Sequence, residues 1–316
     1  MPLITRRSLF SALAAVGWLG ISRQGMAQVG SGGTGISPSV TIGKADVVSG
    51  PVTLRRPGQP SFPLENGGNL VQGDQIDTAD GAEAHLIFDD GGYLAVRANS
   101  SVRIERYVVS GDVTDVAALT LLKGALRSVT GWIGKLDPAR YRIQAGSATI
   151  GVRGTDHEVV LVRPQDGFAD AEPGIHNRVN EGTTLLRNAG STLAVGQGSA
   201  AYAARGAPPA PHASVPAFFN RLRTAQDVRV ENHARTIQQH IESGLRQRGK
   251  LDANERFDQY RERVQGRRGQ RAQQRAVQAG RESTVRTPGQ ESREQRAAAR
   301  QQRRRERMLR GDTNKR

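Results

Sequence analysis

The stretch Ser147-Ala148-Thr149-Ile150-Gly151-Val152-Arg153-Gly154-Thr155-Asp156-His157-Glu158-Val159-Val160 decides how the chain is read. At period two, Ala148, Ile150, Val152 and Gly154 fall on one side, and Thr149, Gly151, Arg153 and Thr155 on the other. That is the alternation of a half-buried strand. The pattern resumes with Val159 and Leu161 against Val160 and Val162, so two strands meet at a glycine-punctuated bend. Glycine there permits a positive φ or a close backbone approach, and the bend is expected to need space at Gly154. Arg153 has two readings, an anion-binding residue at a partner surface or a structural ion pair that locks the bend. The glycines on both sides favour the ion pair.

Outward from this bend, residues 44–205 alternate short apolar runs with Gly, Pro, Asn and Asp about every 8–12 residues, as all-β folds do. Glycine again separates Val116–Lys123 from Ala125–Val129 and, two residues beyond Asn180, precedes Thr183–Arg187. These segments are read as separate strands. Asp89-Asp90-Gly91-Gly92 reads as a hairpin turn. The fold expected is all-β, a single multi-stranded antiparallel β-sandwich or β-roll-like domain, followed by a basic helical-to-disordered tail.

The run Ala148-x-x-Gly151-Val152-Arg153-Gly154-Thr155, followed by a hydrophobic strand, resembles the signature of the FecR-like periplasmic domain, the sensor part of iron-dicitrate-type transmembrane regulators. The resemblance extends over residues 44–205. It takes in Val48-Ser49-Gly50-Pro51-Val52, Leu70–Thr78, Asp90–Leu94, Leu122–Leu126, Glu181-Gly182 and Val195–Gly198. It implies a non-catalytic periplasmic module that binds a protein partner and relays occupancy. Gly151, Val152, Arg153, Gly154 and Thr155 are the family-signature positions, structural or partner-facing. His157 departs from the pattern, standing where an aromatic is more usual. The full regulators carry a cytoplasmic sigma-factor-binding segment before a spanning helix, for which the residues ahead of Leu9 are too few.

The first residues read as an export signal, with Arg6-Arg7 before the apolar run Leu9–Ile21 and a small-residue cleavage site at Ala27. The twin-arginine route and a periplasmic mature chain starting at Gln28 are expected. Residues 28–43 form a flexible linker whose Gly30–Gly35 spacing mimics a dinucleotide fingerprint without its strand or helix. Residues 206–216 read as a Pro/Ala linker, 217–265 as short amphipathic helices and 266–316 as a disordered Arg/Gln-rich tail. A trypsin-resistant core is expected to end near Pro208–Pro211.

The formal charge is +15, and residues 217–316 hold 26 Lys and Arg against 12 Asp and Glu, so nearly all of the excess lies there. Few aromatics accompany those cations, which disfavours nucleic acid. Anionic lipid or lipopolysaccharide is the surface they fit, and an envelope protein is the expected partner of the β-domain. Cysteine is absent, so disulfides and thiol chemistry are excluded. No nucleophile elbow, P-loop or His-Glu-x-x-His motif occurs, and no catalytic residue, cofactor or metal is expected. Asp156-His157-Glu158 reads as solvated strand-end residues, because neighbours on a strand face opposite ways. Asp89 and Asp90 read as a solvated turn pair with ordinary pKa values. Trp132 is read as a core residue before a partner anchor.

Overall fold

The glycine-punctuated breaks at Gly124, Gly154 and Gly182 are bends within continuous strands. The computed structural model describes residues 40–112, 114–166, 171–284 and 299–303. Arg6, Arg7 and Ala27, the linker up to residue 39 and part of the Pro164–Gly174 loop lie outside the described residues. In chain order the strands are β1 (Thr41–Ser49), β2 (Val52–Arg55), β3 (Phe62–Pro63), β4 (Asn69–Val71), β5 (Gln75–Thr78), β6 (Glu83–Phe88), β7 (Tyr93–Val96) and β8 (Ser101–Val108). There follow β9 (Val116–Val129), the short helix α1 (Trp132–Leu136), β10 (Tyr141–Ala145), β11 (Ala148–Val162), β12 (Gly174–Asn188), β13 (Ser191–Gly196), β14 (Ala200–Ala203) and β15 (Ala210–Pro211). Helices α2 (Phe218–Arg221), α3 (Asp227–Gln247) and α4 (Phe257–Thr284) complete the order.

The first half of β9 pairs with β8 and β10, and its second half with β7 and β11. Gly124, at φ 79°, stands between the halves. β11 likewise pairs first with β10 and then with β9, while β12 follows it on both sides of the bend. Arg153 faces Thr183 and Asp156 faces Glu181, so Gly154 and Thr155 together oppose Gly182 in a β-bulge. The strands thus pass from one half of the sheet to the other. Leu119, Leu121, Ile143 and Ile150 from one half share a single core with Leu86, Leu94, Leu126 and Val159 from the other. Burying those faces supplies the main drive to fold.

The two glycines of the bulge differ in what they tolerate. A Cβ at Gly154 would have room, its nearest neighbour being Lys135 Cγ at 3.5 Å, but φ is 60°. Torsion, and not the space expected from the sequence, is what requires glycine there. At Gly182 φ is 80° and a Cβ would collide with the Gly154 carbonyl oxygen. Gly182→Ala should therefore cost on the order of 2 kcal/mol or more, and Gly154→Ala about 1 kcal/mol. Urea unfolding midpoints at constant slope check this, and equal losses would contradict it.

The chain is mostly sheet with C-terminal helices, and the sheet is not a closed barrel. Two expectations change. β9 and β10 run parallel, so the sheet is not wholly antiparallel. The helices also belong to the core, so all-β describes only part of the fold. Phe218 and Phe219 pack on Ala125, Val160 and Val162, and Val230 packs on Tyr93, Ala95 and Val129. Ile241, Leu245, Leu251, Phe257 and Tyr260 join the main cluster. The trypsin-resistant core should accordingly reach into α4, and Ala210–Pro211, within the expected linker, pair with β14. Residues 266–284, expected to be disordered, continue α4, with every side chain from Gln265 to Ala279 exposed.

Candidate functional site

The two halves of the sheet present different outer faces. On the first, the signature sits among Arg142 of β10, Arg187 of β12 and the residues of β11 between them. Val152 is fully buried. Thr155 is clamped by Thr130, whose hydroxyl and amide both donate to the Thr155 carbonyl at 2.9 Å. Arg153 is exposed and makes no side-chain hydrogen bond or ion pair among the described residues, which overturns the structural pair expected for it. Arg142 stands opposite Gly151, Leu185 flanks Gly151 on the other side, and Arg187 stands opposite Thr149. These residues and Lys135 line a depression of about 720 Å³. Sequence reading found Arg153 and missed Arg142 and Arg187, which only strand register brings beside it.

The second face is covered by α2 and α3, and beneath them lies a buried ionic network. Asp227, the first residue of α3, accepts from Arg97 at 2.6 Å and from Arg127 at 2.9 Å. Arg127 also forks onto Asp156 at 2.9 and 2.7 Å. Asn180 donates to Asp156 and Glu158, both at 3.2 Å. Thr224 donates to Glu83 at 2.9 Å. Burial pushes the Asp227 carboxyl up, yet Arg97, the Thr224 N–H and Arg127 hold it below the ordinary carboxylate value. Asp156 and Glu158 are thus buried partners of arginines and not solvated strand ends. His157 points into the core, where burial lowers its pKa to about 4 despite the Asp156 charge. Asn177 lies 3.3 Å from its Nδ1. Among the described residues no group of three or more His, Asp or Glu is placed to hold a metal ion.

The turn carboxylates also separate. Asp89 is partly exposed and meets Arg248 at 3.1 Å. Asp90 is fully buried, accepting from the Gly92 N–H and the Tyr107 hydroxyl at 2.9 Å each. Burial lifts its pKa to about 6, against the ordinary value expected. Its carboxyl is sealed beside Gly131, where a Cβ would strike it, so it anchors the hairpin to α1. Trp132 is buried, as the sequence implied, and its Nε1–H donates to Asp115 at 3.0 Å.

Residues 74–184, from the edge of β5 into β12, match the family model described as FecR protein. This segment is a FecR domain. It contains both halves of the bulge and the whole signature. The strands outside the match, β1 to β4 and β13 to β15, hydrogen-bond into the same sheet as the FecR domain. No curated protein is significantly similar to the chain. Two solved structures of a "putative anti-sigma factor" from Parabacteroides distasonis ATCC 8503 align at 10% and 11% identity, each with a TM-score of 0.36. The alignments cover 46% of this chain and 62% of theirs, so the chain spans less than two thirds of their length. Among the described residues no helix is long and apolar enough to cross a membrane.

Proposed function

We propose that the protein is an exported, non-catalytic binding and sensing module of the periplasm. Its FecR domain meets a protein or glycan partner, and its basic tail adds affinity for an anionic surface of lipid or lipopolysaccharide. The observation that carries this reading is the unlike treatment of the two sheet faces. One is closed by the chain's own helices, while the face bearing the FecR signature stays open with unpaired arginines on it. An export signal at Arg6-Arg7 with cleavage after Ala27 supports the location. A second reading, an envelope tether with the β-domain as spacer, is favoured by α4, whose cations Arg267, Arg268, Arg271 and Arg275 are exposed.

Vesicle flotation and in-cell cross-linking separate the two. Full-length protein should bind phosphatidylglycerol vesicles and release them as salt rises, since the screening length falls from about 10 Å at 0.1 M to about 3 Å at 1 M. Truncation of residues 270–316 removes no buried described side chain and should abolish that binding with the fold intact. Vesicle binding that survives both salt and truncation would refute the tail's role. For the sensing module, cross-linking of the intact protein should give a discrete adduct with one envelope protein. A diffuse ladder in its place favours the tether.

A further inference from the structure

Gly151 has no structural reason to be glycine. Its φ lies outside the positive range that favours glycine, and an added Cβ would meet nothing closer than Leu185 Cβ at 3.9 Å. Glycine within a strand costs roughly 0.5–1 kcal/mol relative to alanine. What its missing side chain does is leave bare the floor of the depression on the open face. Around that floor stand Arg142, Arg153 and Arg187, all exposed and none with a hydrogen bond or ion pair among the described residues. Lys135 and Arg261 complete the lining cations. The lining carboxylate, Asp137, already accepts from Arg268 at 2.9 Å.

Five cations around one neutralised carboxylate repel one another and hold a positive field in a concave site. Burial and the Arg261 charge push the Lys135 ammonium below its ordinary pKa, while Glu181 opposes them. Asp258 pairs with Arg261 at 3.1 Å and Glu181 partly offsets Lys135. Arg142, Arg153 and Arg187 have no such partner among the described residues, so an anionic occupant is what relieves them. Spacing narrows the class. Side chains on one face of β11 recur about every 6.6–6.8 Å along the strand, and neighbouring strands stand about 4.8 Å apart. An extended peptide presents alternate side chains at that same interval. A guanidinium receives a carboxylate through two parallel hydrogen bonds.

We propose that this depression, floored by Gly151 and ringed by Arg142, Arg153 and Arg187, binds an extended acidic segment of a protein partner with carboxylates at alternate positions. The site rests on the partner-binding reading above and names the chemistry of its contact. A flat lipid surface fits a concave sheet face poorly, and a single phosphate leaves most of the volume unfilled.

The test is fluorescence anisotropy of a labelled Glu-Ser-Glu-Ser-Glu-Ser peptide with the full-length chain at fixed salt. Gly151→Leu fills the floor without changing any charge, and the triple variant Arg142→Ser/Arg153→Ser/Arg187→Ser removes the ring. Both should weaken binding about tenfold or more with an unchanged thermal midpoint, from the loss of charge-assisted bonds. A Glu-Glu-Glu-Ser-Ser-Ser peptide of equal charge should bind more weakly than the alternating one. Unchanged affinity in Gly151→Leu would overturn the site and leave the tail as the peptide's holder. Displacement by inorganic phosphate, beyond that by chloride of equal ionic strength, would overturn the peptide assignment. A cross-linked envelope partner that persists in Gly151→Leu sinks this site alone. Gly151-dependent peptide binding without any envelope adduct sinks the sensing reading alone.

Discussion

Asp227→Ala should loosen α3 from the sheet by about 3–5 kcal/mol, the range for removing one partner of a buried ion pair. The carboxylate is the shared acceptor of Arg97 and Arg127, and all three residues are at most 5% exposed. Arg97 has little else: its Nη1 makes no hydrogen bond, and Glu83 lies 3.7 Å from it. Arg127 keeps its fork onto Asp156, so the stranded charge is chiefly that of Arg97. Asp227 also opens α3, where a negative charge opposes the exposed N–H groups favourably. Trypsin should then cut rapidly at Arg229 and Arg235, and amide exchange along α3 should accelerate. The strands beneath should stay protected, because their main core lies on the opposite face. Asp227→Ala with wild-type exchange in α3 would show that apolar packing of Val230 and Ile241 alone holds the helix.

The strands were legible because half-buried sheets write period-two patterns into the sequence. Strands β2 to β14 all fall within residues 44–205, where short apolar runs and turn residues place a β domain. Continuity was not legible. Gly124, Gly154 and Gly182 read as punctuation because glycine ends strands as often as it bends them, and composition does not record φ. The parallel pairing of β10 with β9 depends on the crossover through α1, which no local pattern encodes. Residues 217–265 were read as short amphipathic helices from Ile237, Ile241 and Leu245 at helical spacing, whereas α3 runs 21 residues and α4 28.

The site was less legible than the fold. Arg153 stood out through its glycines, but its freedom from partners is a property of three strands. Arg142 and Arg187 lie far from it in sequence and reach it through register alone. The buried network was hidden for a related reason. Glu83, Arg97, Arg127, Asp156 and Glu158 alternate with apolar residues as a solvated sheet face would, and only α3 turns that face inward. Asp90 misled similarly, since an Asp-Asp-Gly-Gly turn is normally wet.

Acidification from neutral pH to about pH 4.5 should destabilise the protein, and His157→Phe should remove a large part of that loss. Burial holds His157 neutral, with its pKa at about 4 against 6.5 in the unfolded chain. Between those values the unfolded chain binds a proton that the folded one refuses, so stability falls as pH falls through this window. At about 1.4 kcal/mol per pH unit, the loss reaches about 2.5 kcal/mol at pH 4.5. His176, also lowered to about 4 by burial against the hydrogen bond to the Glu172 carbonyl, adds a second loss of the same sign. Asp90 works in reverse. Its buried carboxyl, raised to about 6 from 3.8, takes up a proton the unfolded chain does not, and stability rises as pH falls between those values. Glu158, also raised by burial, acts with Asp90. His212 and His233, lowered by burial, and Glu83 and Asp227, held low against burial by their partners, act with the first two histidines, so the balance is a net loss. Phenylalanine fits the position, because His157 is wholly buried, its Nε2 makes no hydrogen bond, and Asn177 keeps its bond to the Glu158 carbonyl at 3.0 Å. The variant should match wild type near pH 7 and exceed it by about 2.5 kcal/mol at pH 4.5, read from urea unfolding at each pH. Parallel stability curves for the two proteins across this range would mean that His157 accepts its proton in the folded state, and the buried neutral imidazole would have to be given up.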